Sequence, residues 1–130
     1  MAQVLYVPIR LLRETQAHLE REAPREGVGL WAGRREVERV IPLPNVHPNP
    51  RTGYLAEPLA LLRALKEMER EGLSLLAIYH SHPAGPALPS PTDRKEARWR
   101  VPYVIFGTDG FRAFLLPEGR EVEVVPLYPP

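Results

Sequence analysis

Leu73-Ser74-Leu75-Leu76-Ala77-Ile78-Tyr79-His80-Ser81-His82 is the stretch on which the fold turns. From Leu73 to Tyr79 it is an almost unbroken apolar run, the mark of a central strand buried on both faces. His80-Ser81-His82 closes that strand. Side chains alternate with period two along a strand, so two histidines one residue apart point to the same face and can share one ion. A His-X-His pair equally suits a polar strand end, so the flanking sequence has to decide.

Upstream, Pro58 to Arg70 reads as a helix with Leu61, Leu62, Leu65 and Met68 as its apolar face and Gly72 as a C-cap. Residues 44–53 form a proline-rich loop. Gly27 to Gly33 and Val37 to Leu43 read as two strands joined by the charged turn Arg34-Arg35-Glu36. Residues 8–22 form a helix with Pro8 near its first turn and Pro24 as its stop. Its expected stripe is Ile9, Leu12, Leu19 and Ala23, interrupted by Gln16. Residues 3–7 read as a strand. Downstream, a loop with four prolines leads to a short helix beginning near Pro91. Strands then follow at Tyr103 to Phe106, Phe111 to Leu116 and Val122 to Leu127. This order predicts an α/β protein with a mixed β-sheet flanked by helices. With no internal repeat and no linker, residues 1–130 are expected to form one domain.

Composition narrows the chemistry. The chain has no cysteine, which excludes disulfides, thiolate metal sites and cysteine nucleophiles. Any metal must be held by nitrogen and oxygen. Seventeen basic and 16 acidic residues leave a net charge of +1, which gives no case for nucleic acid or an anionic membrane as partner. No apolar run approaches the roughly 18 residues that span a bilayer. Met1 to Ile9 reads as a short strand rather than a signal peptide, so a cytoplasmic location is expected. Sixteen prolines, no Cys and two Met suit a heat-stable protein.

Eleven residues after His82 stands Asp93, in Ser90-Pro91-Thr92-Asp93. Serine at the N-cap, proline at the first helical position and an acid three residues after the serine make a capping-box-like helix start, which accounts for both Ser90 and Asp93 without function. If the stiff loop folds back over the strand end, Asp93 also becomes a third ligand beside His80 and His82. The cap would then fix the geometry the metal uses. Three protein ligands leave one tetrahedral position for water, as in catalytic zinc sites. Two imidazoles and a carboxylate favour zinc over magnesium or calcium, with manganese and iron as alternatives. Glu26, in Pro24-Arg25-Glu26-Gly27-Val28, is the candidate proton shuttle. It stands at a helix-to-strand junction crowded by Pro and Gly.

These residues resemble the JAMM (MPN+) metalloproteases. That family's pattern is a Glu and, far downstream, His-Ser/Thr-His, seven residues, Ser, two residues and Asp. Here seven residues, Pro83 to Pro89, separate His82 from Ser90, and Asp93 follows at the matching spacing. Pro24, Glu26, Gly29, Leu30 and Gly33 match the upstream Pro-X-Glu-X-X-Gly-Leu-X-X-Gly, and Asn45 after the third strand also looks like the family. The resemblance covers nearly the whole chain. It implies a single MPN-like (cytidine-deaminase-like) domain. It implies that His80, His82 and Asp93 ligate one zinc, that Glu26 takes a proton from the metal-bound water and passes it to the leaving amine, and that Ser90 donates to the developing oxyanion. Ser81 should point away from the metal and receives no direct role. The implied substrate is the amide or isopeptide bond after the C-terminus of a ubiquitin-like or sulfur-carrier protein, whose tail would lie extended along a strand edge. Homodimer formation stays open.

The chain departs from larger relatives in two respects. Leu43–Tyr54 and Asp93–Val101 leave no room for the inserted loops that grip a distal ubiquitin, and Val28 stands where many relatives carry Cys. Two other readings compete. A catalytically silent MPN scaffold usually lacks a ligand, and none is missing here. A RadC-type metallohydrolase carries Asn between the histidines, where this chain has Ser81, and usually an added helical N-terminal region. Of the remaining histidines, His18 lies off the apolar stripe and is expected to face solvent. His47 is expected to be an exposed loop residue.

Overall fold

The computed structural model describes residues 3–130; Met1 and Ala2, which the sequence joins to the first strand, lie outside them. The elements are β1 (Val4–Pro8), α1 (Ile9–Glu22), β2 (Val28–Gly33), β3 (Val37–Leu43), α2 (Pro58–Arg70), β4 (Ser74–Ser81), α3 (Pro91–Glu96), β5 (Tyr103–Gly107), β6 (Gly110–Leu115) and β7 (Arg120–Leu127). Every element expected from the sequence is present, with ends shifted by one or two residues. Among the described residues no helix is long and apolar enough to cross a membrane.

The seven strands form one mixed sheet in the order β1-β7-β6-β5-β4-β2-β3. β4 is central, antiparallel to β2 and parallel to β5. The last strand returns to lie between β6 and β1, parallel to β1. The edges β1 and β3 both contact α1, so the sheet curls around that helix.

Alternation along β4 explains why its apolar run serves two cores. Ala77 and Tyr79 point to the α1 side and pack with Leu12, Trp31, Val104 and Phe106. Ile78 points to the α2 side and packs with Leu30, Leu43, Met68 and Ile105. His80 continues this second series, which sets the histidines on the α2 face of the sheet. α2 reaches that face with Ala64 and Met68 buried and Leu61 and Leu65 half-buried. Leu62, expected on the apolar face, is 48% exposed, because Leu61, Ala64, Leu65 and Met68 already fill the side turned to the sheet. Gly72 ends α2 at φ +70°, a conformation open to glycine. Its N–H bonds to Glu69 O, while Leu73 N–H bonds to Met68 O, the paired bonds that close a helix C-terminus.

α1 corrects two expectations. Its buried residues are Leu11, Leu12, Thr15, His18 and Leu19, while Ala23 is exposed and Ile9 half-buried. The sheet offers α1 two aromatic residues with polar tips, and these need partners when buried. Trp31 Nε1 donates to Thr15 Oγ1 at 2.9 Å, and the Tyr79 hydroxyl meets His18 Nδ1 at 2.8 Å. His18 therefore sits inside rather than facing solvent. Burial pushes its pKa down and that of Tyr79 up, keeping both neutral.

Gly29 makes this arrangement possible. A Cβ there would occupy the space of the Tyr79 phenol. Gly29→Ala is expected to cost about 3 kcal/mol, from an overpacked core and a displaced buried hydrogen bond. Urea denaturation measures it, and a loss below about 1 kcal/mol would mean that the ring moves freely.

Candidate active site and metal centre

His80 lies opposite Val28 on β2 and Ile105 on β5, so its backbone is fixed from both sides. His82 stands just past the strand, with its N–H bonded to Phe106 O at 2.8 Å. Their Nε2 atoms are 3.2 Å apart, as the alternation argument requires. The loop from Pro83 to Pro89 does fold back over the strand end. Asp93 Oδ2 lies 3.1 Å from His82 Nε2 and 3.4 Å from His80 Nε2.

Asp93 reaches that place through the helix cap. Its N–H donates to Ser90 Oγ at 3.0 Å, and Ser90 N–H donates to Asp93 Oδ2 at 2.9 Å. The capping box expected from the sequence is therefore present, and the same carboxylate faces both histidines. Ser90 accepts at the cap, which leaves its hydroxyl hydrogen free to donate elsewhere.

The donor set fits a tetrahedral metal. Donors at about 2.0–2.1 Å from a tetrahedral zinc stand about 3.3–3.4 Å from one another. The three separations here are 3.1, 3.2 and 3.4 Å. His82 Nδ1 faces Pro86 O at 2.9 Å; a carbonyl only accepts, so Nδ1 carries the proton and Nε2 keeps its lone pair for a ligand. His80 is fully buried, and its Nδ1 has no hydrogen-bond partner among the described residues.

Glu26 completes the cluster at the entry to β2. One of its carboxylate oxygens, His80 and His82 each offer a donor atom within 4.8 Å of the others. Geometry alone would admit Glu26 as a third ligand, but Asp93 is closer and chemically better suited. Burial would raise the Asp93 pKa, yet the adjoining imidazoles of His80 and His82 override it and hold the carboxyl well below the usual range. Burial pushes Glu26 up to about 7, with His82 opposing and Asp93 reinforcing. Two carboxyl groups driven apart in this way divide into a permanent anion and a proton carrier. Burial lowers the pKa of His80. For His82 burial also lowers it, but Asp93 and Pro86 O together raise it.

Two contributors escape sequence reasoning. Ser81 Oγ accepts the Gly27 N–H at 2.8 Å, and Ser81 N–H bonds to Gly27 O at 3.1 Å, pinning the residue after Glu26 to the histidine strand. The strand pairing was its only available signal. Tyr54 stacks on His80, with ring centroids 4.3 Å apart and planes 27° from parallel. An aromatic residue just past a proline-rich loop gives no such indication. His47, expected to be exposed, is half-buried and helps wall a cavity of about 190 Å³ that also touches Val28, Leu30, Tyr54, Asp93 and Trp99. This cavity opens beside the donor triangle, between the 44–56 loop and the end of α3.

Comparison with known proteins identifies the family. Residues 8–117 match the family described as prokaryotic homologs of the JAB domain. The chain belongs to that family, the short prokaryotic kind of JAMM (MPN+) domain that its motif spacing resembles. It is 83% identical over 124 residues to a "Probable TtuB-protein conjugate cleaving protease" of Thermus thermophilus, covering 95% of this chain and 84% of that one. It superimposes on the solution structure of protein DSY2949 from Desulfitobacterium hafniense with a TM-score of 0.86 at 31% identity, covering 96% and 94% of the two chains. A JAB1/MPN domain protein from Archaeoglobus fulgidus shares the fold at a TM-score of 0.64 and 19% identity, covering 93% and 99%.

Proposed function

We propose that this chain is a zinc-dependent peptidase that hydrolyses the amide or isopeptide bond following the C-terminus of a ubiquitin-like or sulfur-carrier protein. The observation that carries the reading is the triangle of His80, His82 and Asp93 donors, 3.1–3.4 Å apart, with Glu26 beside it. The similarity to a protease named for cleaving protein conjugates supports the choice of substrate. A cytoplasmic setting suits a carrier-protein substrate.

His80 and His82 supply neutral imidazole donors, and Asp93 supplies the negative charge that makes the site selective for a dication. A zinc ion held by His80, His82 and Asp93 would supply Lewis acidity to the scissile carbonyl and to the attacking water. Glu26 accepts a proton from the attacking water and delivers it to the leaving amine, a cycle suited to a carboxyl poised near neutrality. Ser90 turns its free hydroxyl hydrogen toward the carbonyl oxygen as charge develops there. The cavity beside the triangle receives the end of the extended carrier tail, and its apolar wall excludes water around the reacting bond.

The test presents the protein with a carrier joined to a lysine side chain and with the same carrier extended by one amino acid, with and without chelator. Mass spectrometry should find the carrier released with a free C-terminal carboxylate, and chelator should stop the release. No cleavage of either substrate, or cleavage indifferent to chelator, would overturn the reading.

A further inference from the structure

Asn45 lies outside the donor triangle, and neither its burial nor its bonding is explained by the chemistry above. Its side chain is buried, and its carboxamide is saturated. Nδ2 donates to Glu26 O at 2.8 Å and to Gly53 O at 3.1 Å. Oδ1 accepts from His47 N–H at 3.0 Å and from Leu55 N–H at 2.9 Å. Two donors and two acceptors are the full capacity of this group. No other residue type of similar size can replace that pattern: aspartate lacks the donors, and leucine lacks everything but shape.

What the four bonds join matters more than their number. One side is the backbone of Glu26. The other is the 46–55 segment, whose Tyr54 ring lies against His80. The segment closes on itself through Val46 N–H to Leu55 O at 2.8 Å, and it reaches Glu26 a second time through Glu26 N–H to Pro50 O at 2.6 Å. Arg25, the residue before Glu26, donates to Asn45 O at 3.1 Å. The residue that moves the proton and the loop that packs on a histidine therefore meet at one amide.

We infer that Asn45 is a positioning residue of the hydrolytic site, acting through Glu26: its carboxamide sets the Glu26 backbone at a fixed place relative to His80. This rests on the proposed hydrolytic reading. Asn45 touches neither the donor triangle nor the reacting bond, so its loss should leave metal binding alone and misplace the proton carrier. Small misplacements of a catalytic group are costly because proton transfer needs hydrogen-bond distance.

Asn45→Asp is the sharpest variant. It keeps the acceptors for His47 and Leu55 and so keeps the loop, but it turns a carboxylate toward Glu26 O and Gly53 O. Expected are a kcat lowered by about 30–100-fold, a KM within threefold and an unchanged one zinc per chain. Combined with Glu26→Gln, Asn45→Asp should lower the residual rate by less than threefold, because both act through one group. A measurement on the unaltered protein stands independently of how the variant folds. The Asn45 side-chain NH₂ should exchange with solvent at least about 100-fold more slowly than that of an exposed asparagine. Turnover within threefold of the unaltered protein, full multiplication of the two effects or fast NH₂ exchange would each overturn the assignment. The unaltered protein is assayed in parallel. If it cleaves nothing, the hydrolytic reading fails; if it cleaves and Asn45→Asp cleaves equally well, only the role of Asn45 fails.

Discussion

Glu26→Gln should lower kcat by a factor of about 10³ and leave zinc content at one per chain, a loss in the range of a removed general base. The substitution is nearly isosteric. The backbone at position 26 is held by Pro50 O and Asn45 Nδ2, neither of which depends on the side chain, so glutamine should occupy the same place. What disappears is a group that can take a proton and return it. The carboxyl is raised to about 7 by burial, so in the free protein it changes charge where the enzyme must work. The proposed cycle requires the carboxylate form, so activity should fall as pH drops through the Glu26 pKa, and that acid limb should be missing from the residual rate of Glu26→Gln. Steady-state kinetics beside metal analysis checks both statements. A variant that keeps a tenth or more of the turnover would remove Glu26 from the mechanism.

Asp93→Asn carries the second large effect, on metal affinity rather than on rate. Among the described residues its oxygen is the only carboxylate oxygen within 3.4 Å of both histidines, and replacing it with an amide would remove the charge that favours a dication. Outer-sphere partners of metal ligands cost about 10–100-fold in affinity when mutated, so the loss of the ligand proposed at Asp93 should reach or exceed the upper end. The helix cap gives this prediction its contrast. An asparagine oxygen can still accept the Ser90 N–H, and the Asp93 backbone N–H still reaches Ser90 Oγ. The metal-free variant should therefore keep its stability to within about 1 kcal/mol. Competition titration with a zinc-binding dye, beside thermal denaturation in chelator, separates the two roles. Zinc binding within threefold of the unaltered protein would leave Asp93 as a cap alone.

Much of the centre was legible because it is local. His80 and His82 share a face by strand alternation, and Asp93 is placed by a short loop and a helix start whose chemistry is written in four consecutive residues. From its own surroundings Glu26 was legible only as a conspicuous acid at a helix-to-strand junction, and its role came from the resemblance of the upstream motif. What brings it to the histidines is the β2–β4 register, with Val28 opposite His80 and Gly27 pinned by Ser81, and periodicity within one strand carries no information about its neighbour. The same limit hid the strand order. β1 pairs with β7 across almost the whole chain, and nothing in either segment announces the other. α1 misled for a different reason. Apolar periodicity marks a stripe of apolar residues alone, while the face it buries carries Thr15 and His18 to satisfy Trp31 and Tyr79. Polar residues that serve a distant aromatic residue look like surface until that residue is seen.

The most direct test of the metal centre is a crystal of the zinc-loaded protein with anomalous scattering measured across the zinc edge. The account predicts one peak, about 2.0–2.1 Å from His80 Nε2, His82 Nε2 and an Asp93 oxygen, with the Glu26 carboxylate outside that distance. No peak at these residues, or one bonded to Glu26 in place of Asp93, would contradict it.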